Sequence, residues 1–444
     1  MKTLRDIPEL QALSASGAVI RIPPEIDVPL TPRVRQIVDT AEFRRLAHIS
    51  QLGLVSLVYP AAHHSRFEHS LGVYRNALHF LNRLSHDERF AAAIKPADAE
   101  LFLAAALLHD LGHWPFCHPI EDMRLPEVPD HELFANSFML EGEIADTLRE
   151  DWGLQPRDVV ALLSEKPRTP KSRILATMLS GPIDIDKIDY LFRDSLHAGV
   201  PYGRNFDQSR LIGGLCLNEA GDGLAITEKG KTAAEMMVFA RYVMFSEVYW
   251  HHAVRAATAM LQRAFYLLYR SLDLDALFRL TESAWIAEML RQSEAHPARD
   301  LLEGLFGPTR RLYKRVEQYS YFEHRDVYLQ LARRPYSWLT TFSEQFATVV
   351  GPAVGRLVAP HEILFDAPPP QCEIQFNVDV HYLKENVYRR LSDVSPVCRS
   401  LAVEQFDDYV KKVRLFAHPR VADDLRALPN LGELIQEALR RTDS

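Results

Sequence analysis

Apolar side chains recur along most of this chain at intervals of three and four, the spacing of one helix face. Leu71, Tyr74, Leu78 and Leu81 follow it, and Leu101 to Leu108 is almost continuously apolar ahead of the segment HDLGH. Both stretches read as buried helices. The run from Thr232 to Ser271 is rich in Ala, Met and aromatic residues and contains no proline, so it reads as one long helix. Alternation with period two is rarer. Cys372, Ile374, Phe376, Val378 and Val380 alternate with polar residues as a half-buried strand does, and this strand is assigned to a smaller C-terminal α+β unit. A hairpin is expected to join Leu211–Leu217 to Leu224–Thr227 through NEAGDG. The prolines at Pro368–Pro370 favour an extended connector. The expected architecture is mainly α, a helical bundle with small β hairpins over residues 1–270 and an α+β region over 271–444, without internal repeats.

Composition narrows the class of function. The 444 residues carry a formal charge of −8, which argues against a surface devoted to the nucleic-acid backbone but leaves room for a local basic pocket. Four scattered cysteines (Cys117, Cys216, Cys372 and Cys398) without CxxC spacing suggest neither a disulfide framework nor a cysteine zinc site. The N-terminus, MKTLRDIPELQAL, lacks the apolar core of a secretory signal, and no stretch is long and apolar enough to span a membrane. Cytoplasmic residence is the expectation.

The chemistry concentrates in four segments: RFEHSLG ending at Gly72, HDLGH at 109–113, the histidine of DHE at 131, and DIDKIDYLFRD at 184–194. Each lone histidine has an ordinary explanation as a core residue. Together the segments supply the imidazoles and carboxylates that a first-row divalent ion favours, or Mg²⁺ where carboxylates and water dominate. The expected ligands are His69, His109, Asp110 and Asp186. Four protein ligands on an octahedral ion leave about two positions for water and a phosphate oxygen, as a hydrolytic site requires.

With these residues in place, the chain resembles the HD-domain deoxynucleoside triphosphate triphosphohydrolases. The likeness runs from FRRLAHISQLG at 43–53 through YPAAHHSRFEHSLGVY at 59–74, HDLGHWPFCH at 109–118 and DIDKIDYLFRD, to the region of Arg241 and Tyr249. It covers roughly residues 30–270. It implies an HD-domain helical bundle, a divalent metal cofactor (Mn, Fe, Mg, Zn, Ni or Co), a deoxynucleoside triphosphate substrate, and a homo-oligomer that is a dimer, tetramer or hexamer.

Further residues join the site on spacing or on this resemblance. His113 lies one turn beyond His109 if the helix continues, and would steady the reacting phosphate. His118 and Glu121 are three residues apart, so on a helix the carboxylate would keep the imidazole protonated as a general acid, and the resemblance points to the same pair. His131 is an active-site histidine by resemblance alone. The resemblance also nominates Arg66, Lys187 and Arg241 for phosphates, cations that hold their charge. Lys187 directly follows Asp186, which is expected to keep it near the metal. For the sugar the resemblance adds Gln51, Leu52, Tyr190, Asp194 and Tyr249. Gln51 and Asp194 would bind the 3′-hydroxyl while a tyrosine against C2′ excludes ribose; on its helix alone, Tyr249 would be core packing. His63 and His64 read as surface or supporting residues.

Some features depart from the family. Asp39 is retained at a position resembling an activator-nucleotide pocket, but Ala47 stands where activated mammalian relatives carry arginine, so a nucleotide activator is left open. Trp114 and Cys117 replace residues that are commonly small or polar in relatives. The same metal core would also serve another phosphate ester: a monophosphate, a cyclic nucleotide, an alarmone or a DNA end. A non-catalytic nucleotide sensor is a further alternative, disfavoured by the intact ligands and the intact His118–Glu121 pair.

Overall fold

In the computed structural model, which describes residues 3–370, 378–401, 408 and 410–443, the Arg66–Leu84 helix runs through the main core. Ser65 caps its start by accepting a hydrogen bond from Glu68 N, and Leu71, Tyr74, Leu78 and Leu81 are fully buried as their spacing requires. It packs between the Pro96–Leu108 helix and the Ile185–Ala198 helix. The crossing with the latter is tight. A Cβ on Gly72 would lie 1.9 Å from Asp189 Oδ1 and 2.4 Å from Arg193 Nη2, so only glycine lets the two helices approach this closely.

The Pro96–Leu108 helix is apolar on nearly every face because it is enclosed by neighbours on all sides. It stops at His109. The next residues turn instead of continuing, with Leu111 N donating to Leu108 O and His113 N to Asp110 O. His113 is therefore not one helical turn beyond His109 as expected. Gly112 permits this turn to lie against the His131 segment, since a Cβ there would come within 2.1 Å of His131 O.

The expected single helix over 232–271 is two. Lys231–Met244 leads into one wide turn at Phe245–Tyr249, where Trp250 N donates to Phe245 O at 2.7 Å, and His252–Leu268 begins afresh beyond it. Such wide turns often mark functional positions. No proline signals the break.

Nine short strands are present among the described residues. Strands β1 (Val19–Ile22) and β2 (Ile26–Pro29) form a hairpin beside the main bundle. Strands β3 (Leu215–Leu217) and β4 (Leu224–Thr227) form the expected hairpin, but Leu211 to Gly213 belong to the Gln208–Gly213 helix, started by the Asp207 cap. On the far edge of β4 lie β7 (Asp379–Tyr382), in parallel, and β8 (Val387–Arg390). The strand read at 372–380 is thus represented by Val380 within β7. It joins the sheet of the main bundle, not a C-terminal unit. Cys372, Ile374 and Phe376 lie outside the described residues.

The second core is built on β5 (Lys314–Tyr319), β9 (Val413–Ala417) and β6 (Ile363–Asp366), antiparallel in the order β5-β9-β6. The Tyr336–Ala353 and Leu431–Asp443 helices pack together over it, and Pro368 O accepts from Arg333 N at 2.9 Å. Its buried residues begin at Tyr319, whereas Phe278, Trp285, Leu301 and Tyr313 belong to the main core. The division between cores falls well beyond the expected boundary at 270, because the Ala298–Phe306 helix packs along His252–Leu268.

In an open helix, Gly72→Ala would gain about 0.5–1 kcal/mol. Here it is expected to lose about 1–3 kcal/mol, as overpacking does, because the methyl displaces Asp189. Urea unfolding monitored by circular dichroism reads the sign; a stabilised variant would mean that the helices separate freely at this crossing.

Candidate active site

Two imidazoles meet at the centre of the main bundle. His69 Nε2 and His109 Nε2 are 3.3 Å apart, Asp186 Oδ1 is 3.0 Å from the first, and Asp110 Oδ1 is 3.3 Å from the second. The opposite ring nitrogens are both engaged. His69 Nδ1 donates to Asp189 Oδ2 at 2.8 Å and His109 Nδ1 to Ala106 O at 2.9 Å. Carboxylate and carbonyl oxygens only accept, so each ring carries a proton on Nδ1 and aims its Nε2 at the shared point, where that nitrogen can serve as a ligand once it bears no proton. This donor set fits a divalent ion, with the outer nitrogens oriented as metal-binding histidines usually are. His69, His109 and Asp110 group as potential metal ligands on distance alone.

Electrostatics agree with that geometry. Burial opposes a charge on Asp110, yet the surrounding imidazoles and Arg66, whose Nη1 is 2.7 Å away, hold its carboxyl well below the usual range. Burial likewise opposes a proton on His69, but hydrogen bonds to Asp186 and Asp189 outweigh it and raise the ring to about 10. An ion must displace that proton.

Behind His69 stands a clamp that the sequence did not single out. Arg193 donates to both oxygens of Asp189, at 2.8 and 2.7 Å, and a third bond of 2.6 Å reaches Glu68. Glu68 also accepts from His197 at 2.9 Å, and His197 stacks on His64 with ring centres 4.4 Å apart. His64 Nε2 donates to Asp194 Oδ1 at 2.9 Å, and Tyr249 OH donates to Asp194 Oδ2 at 2.6 Å. One buried network therefore joins a candidate ligand to two candidate sugar-binding residues. Asp189 and Arg193 stood within DIDKIDYLFRD at helical spacing (i, i+4), a signal that could have found them. His63 is exposed, as a surface residue would be, whereas His64 is wholly buried as a support for Asp194.

A second group forms beside the first. Glu121 takes His131 Nδ1 at 2.8 Å and the His131 backbone N–H at 2.7 Å on one oxygen, while His118 Nδ1 lies 3.5 Å from the other. The expected His118–Glu121 pair is thus shared, with His131 the closer partner. Burial works against the charge on Glu121, but both histidines hold its carboxyl far below the ordinary value. Burial would discharge His131, and Glu121 reverses this and raises it. His113, whose ring centre is 3.8 Å from that of His131 with the planes tilted by 40°, is driven strongly toward the neutral form by burial and then by Arg66. Neither of its ring nitrogens makes a well-aligned hydrogen bond, although Nδ1 lies 3.2 Å from Asp110 Oδ1.

The nominated substrate residues are distributed unevenly. Asp186, Tyr190 and Asp194 follow each other at four-residue steps along one face of the Ile185–Ala198 helix, and the rings of Tyr190 and Tyr249 are 6.5 Å apart. Gln51 donates its backbone N–H to His64 O while its buried Oε1 has no hydrogen-bond partner; Leu52 follows it, half-buried. Arg241 is buried over Phe245. Lys187 departs from expectation. One residue along a helix rotates a side chain by about 100°, and its Nζ is held by Asp184 Oδ2 at 2.6 Å and Gly181 O at 3.2 Å.

Residues 66–191 match the HD domain, and residues 206–427, half of the chain, match the HD associated region. The chain belongs to the HD-domain family. It is an HD-superfamily metal-dependent phosphohydrolase in type, with the identity of the ion undetermined. Among relatives, an uncharacterized protein of Methanocaldococcus jannaschii, MJ1154, is 29% identical over 435 residues, 96% of this chain and 84% of the relative. The deoxynucleoside triphosphate triphosphohydrolase SAMHD1 of Gallus gallus is 27% identical over 366 residues, 71% of this chain and 58% of that protein. A crystal structure of a hypothetical protein from Aquifex aeolicus superposes with a TM-score of 0.72 at 27% identity, covering 92% of this chain and 99% of that one. Among the described residues no helix is long and apolar enough to cross a membrane, and Cys117, Cys216 and Cys398 are buried thiols.

Two measurements probe the HD site directly. Asp189→Asn keeps the shape but removes the charge that orients His69, so metal affinity is expected to fall about 10- to 100-fold; competition with a chelating dye measures it, and unchanged affinity refutes the role. The His131–Glu121 pair contributes stability above the ordinary carboxylate value of 4.5 and below the ordinary imidazole value of 6.5. That contribution fades as acid protonates Glu121, and again as rising pH deprotonates His131 through its raised value. In histidine NMR titrations, His131 is expected to titrate above 6.5 and to fall back toward it in Glu121→Gln.

Proposed function

We propose that this protein hydrolyses deoxynucleoside triphosphates to deoxynucleoside and inorganic triphosphate. The observation that carries the reading is the hydrogen-bonded Asp194–Tyr249 pair, on the same helix face as Asp186 and tied through His64 and Glu68 to the support of His69. A polar hydrogen-bonding element linked to a phosphohydrolase centre favours a deoxynucleotide over a generic phosphate ester. Kinship with SAMHD1 proteins, deoxynucleoside triphosphate triphosphohydrolases at 27–30% identity, supports it.

The roles of the residues follow from chemistry. His69, His109, Asp110 and Asp186 would hold the ion, which when bound neutralises phosphate charge and lowers the pKa of water. Water attacks the α-phosphorus, its oxygen forming the new P–O bond while the bond from phosphorus to the sugar O5′ breaks. The departing oxygen needs a proton. His118, beside Glu121, would donate it, while His131, whose pKa Glu121 raises, would lie against the phosphates. His113 would offer its Nε2 side to a phosphate oxygen, and Arg66 and Arg241 would supply fixed positive charge. Lys187 would join them only by leaving Asp184.

Asp194 accepts from Tyr249 and His64, and a carboxylate has lone pairs left for a 3′-hydroxyl. Gln51 Oε1, buried and without a partner, is a second acceptor for the sugar. Tyr190 and Tyr249 form the wall against C2′. Burial and then Asp194 raise Tyr249 far above an ordinary phenol, so it stays a neutral donor at any working pH.

Each of the four dNTPs and four NTPs, alone and in mixtures, should be incubated with the metal-loaded protein and the products separated by ion-exchange chromatography. Triphosphate and deoxynucleoside are expected from dNTPs, with at least a hundredfold loss in His109→Ala and Asp186→Ala, on the scale of removing a dominant catalytic contribution. Turnover only in mixtures would reveal an activator nucleotide. Metal-loaded protein inert on every dNTP overturns the reading.

A further inference from the structure

Along the C-terminal half of the Arg66–Leu84 helix, beyond His69, lies a cavity of about 510 Å³ between that helix and Gln208–Gly213. This is ample for a small ligand. Its lining holds two guanidiniums, Arg75 and Arg83, and two imidazoles, His79 and His86, with no carboxylate. Amides and a hydroxyl complete the polar wall. Arg75, half-buried, makes no hydrogen bond or ion pair with a described residue, and Arg83 donates only its Nε, to Gly213 O at 2.8 Å. His79 Nε2 is buried without a hydrogen-bond partner.

The nearest carboxylates acting on Arg75, Asp189 and Asp27, are already held by Arg193 and Arg21. Burial and then Arg75 push His79 down to about 4, so its ring is neutral and an N–H is available as a donor. A protein gains nothing by gathering unneutralised donors around a cavity unless an acceptor-rich anion compensates them. No Phe, Tyr or Trp lines the space, so there is no surface on which a nucleobase could stack.

We propose that this cavity binds a compact phosphate-type oxyanion, of pyrophosphate to triphosphate size, between Arg75, His79 and Arg83. The site is separate from the HD centre, although Arg75 and Asn76 also line a narrow cleft whose other wall includes Gly72, Asp189 and Arg193. Its occupant therefore lies one layer behind the clamp on His69.

Binding is tested without turnover, so failure here is distinct from failure of the dNTP reading. Pyrophosphate and tripolyphosphate are titrated calorimetrically, in chelator, into the full chain and into Arg75→Gln/Arg83→Gln. Any binding by Arg66 and Arg241 at the HD centre is common to both proteins. The double variant is expected to lose one binding event, or to bind at least tenfold more weakly, with its melting temperature in the absence of anion unchanged. His79→Gln, which keeps both arginines, is expected to weaken the same event and serves if the double variant does not fold. Identical isotherms for all three proteins overturn the proposal. So does binding of a deoxynucleoside triphosphate alone without either inorganic anion, or a change of oligomeric state in the double variant with anion binding intact, which would make the cavity a subunit contact.

Discussion

Everything at the HD centre depends on how closely the Arg66–Leu84 and Ile185–Ala198 helices approach at Gly72. Because no side chain intervenes there, Asp189 and Arg193 lie directly against the first helix, and Asp189 reaches the Nδ1 of His69. The two-point Arg193–Asp189 pair is buried, and a buried pair with imperfect geometry would cost more in desolvation than it returns. Here each carboxylate oxygen of Asp189 accepts from Arg193, one of them also takes His69, and the third guanidinium bond goes to Glu68. The result is a well-anchored floor under one candidate ligand.

The same constraint reaches the other parts of the site. Asp186 and Asp194 lie on the helix that Gly72 admits, so the candidate metal ligand and the candidate sugar-binding carboxylate are positioned together. Glu68 extends the network to His197 and His64, and from there to Asp194 and Tyr249. On the opposite side, Gly112 lets the HDLGH turn press against the His131 segment, which brings His113, His118 and His131 around Glu121. Two close approaches, each permitted by a glycine, assemble the site from four separated segments.

Much of this was legible beforehand. The buried helices at 66–84 and 96–108 follow from apolar spacing, and the β3–β4 hairpin from its glycine-bearing loop. The candidate metal-binding donors could be named because imidazoles and carboxylates stood together in short motifs. Where the reading went astray, the deciding contacts were remote. The wide turn at Phe245–Tyr249 carries no proline or glycine, and β7 pairs with a strand some 150 residues earlier in the chain. The end of the helix at His109 reflects the packing of Gly112 against another segment.

The sequence by itself determined the kinds of donor, their order along the chain and the helical faces that would carry them, since these depend on side-chain chemistry and local periodicity. Only the tertiary structure decided how the donors are used. It divides Glu121 between His118 and His131, turns Lys187 back to Asp184, buries His64 beneath Asp194 and brings Tyr249 to the same carboxylate. Each of these outcomes is a hydrogen bond chosen among several possible partners. That choice is made by the distances left once the helices have packed, which no local pattern of residues encodes.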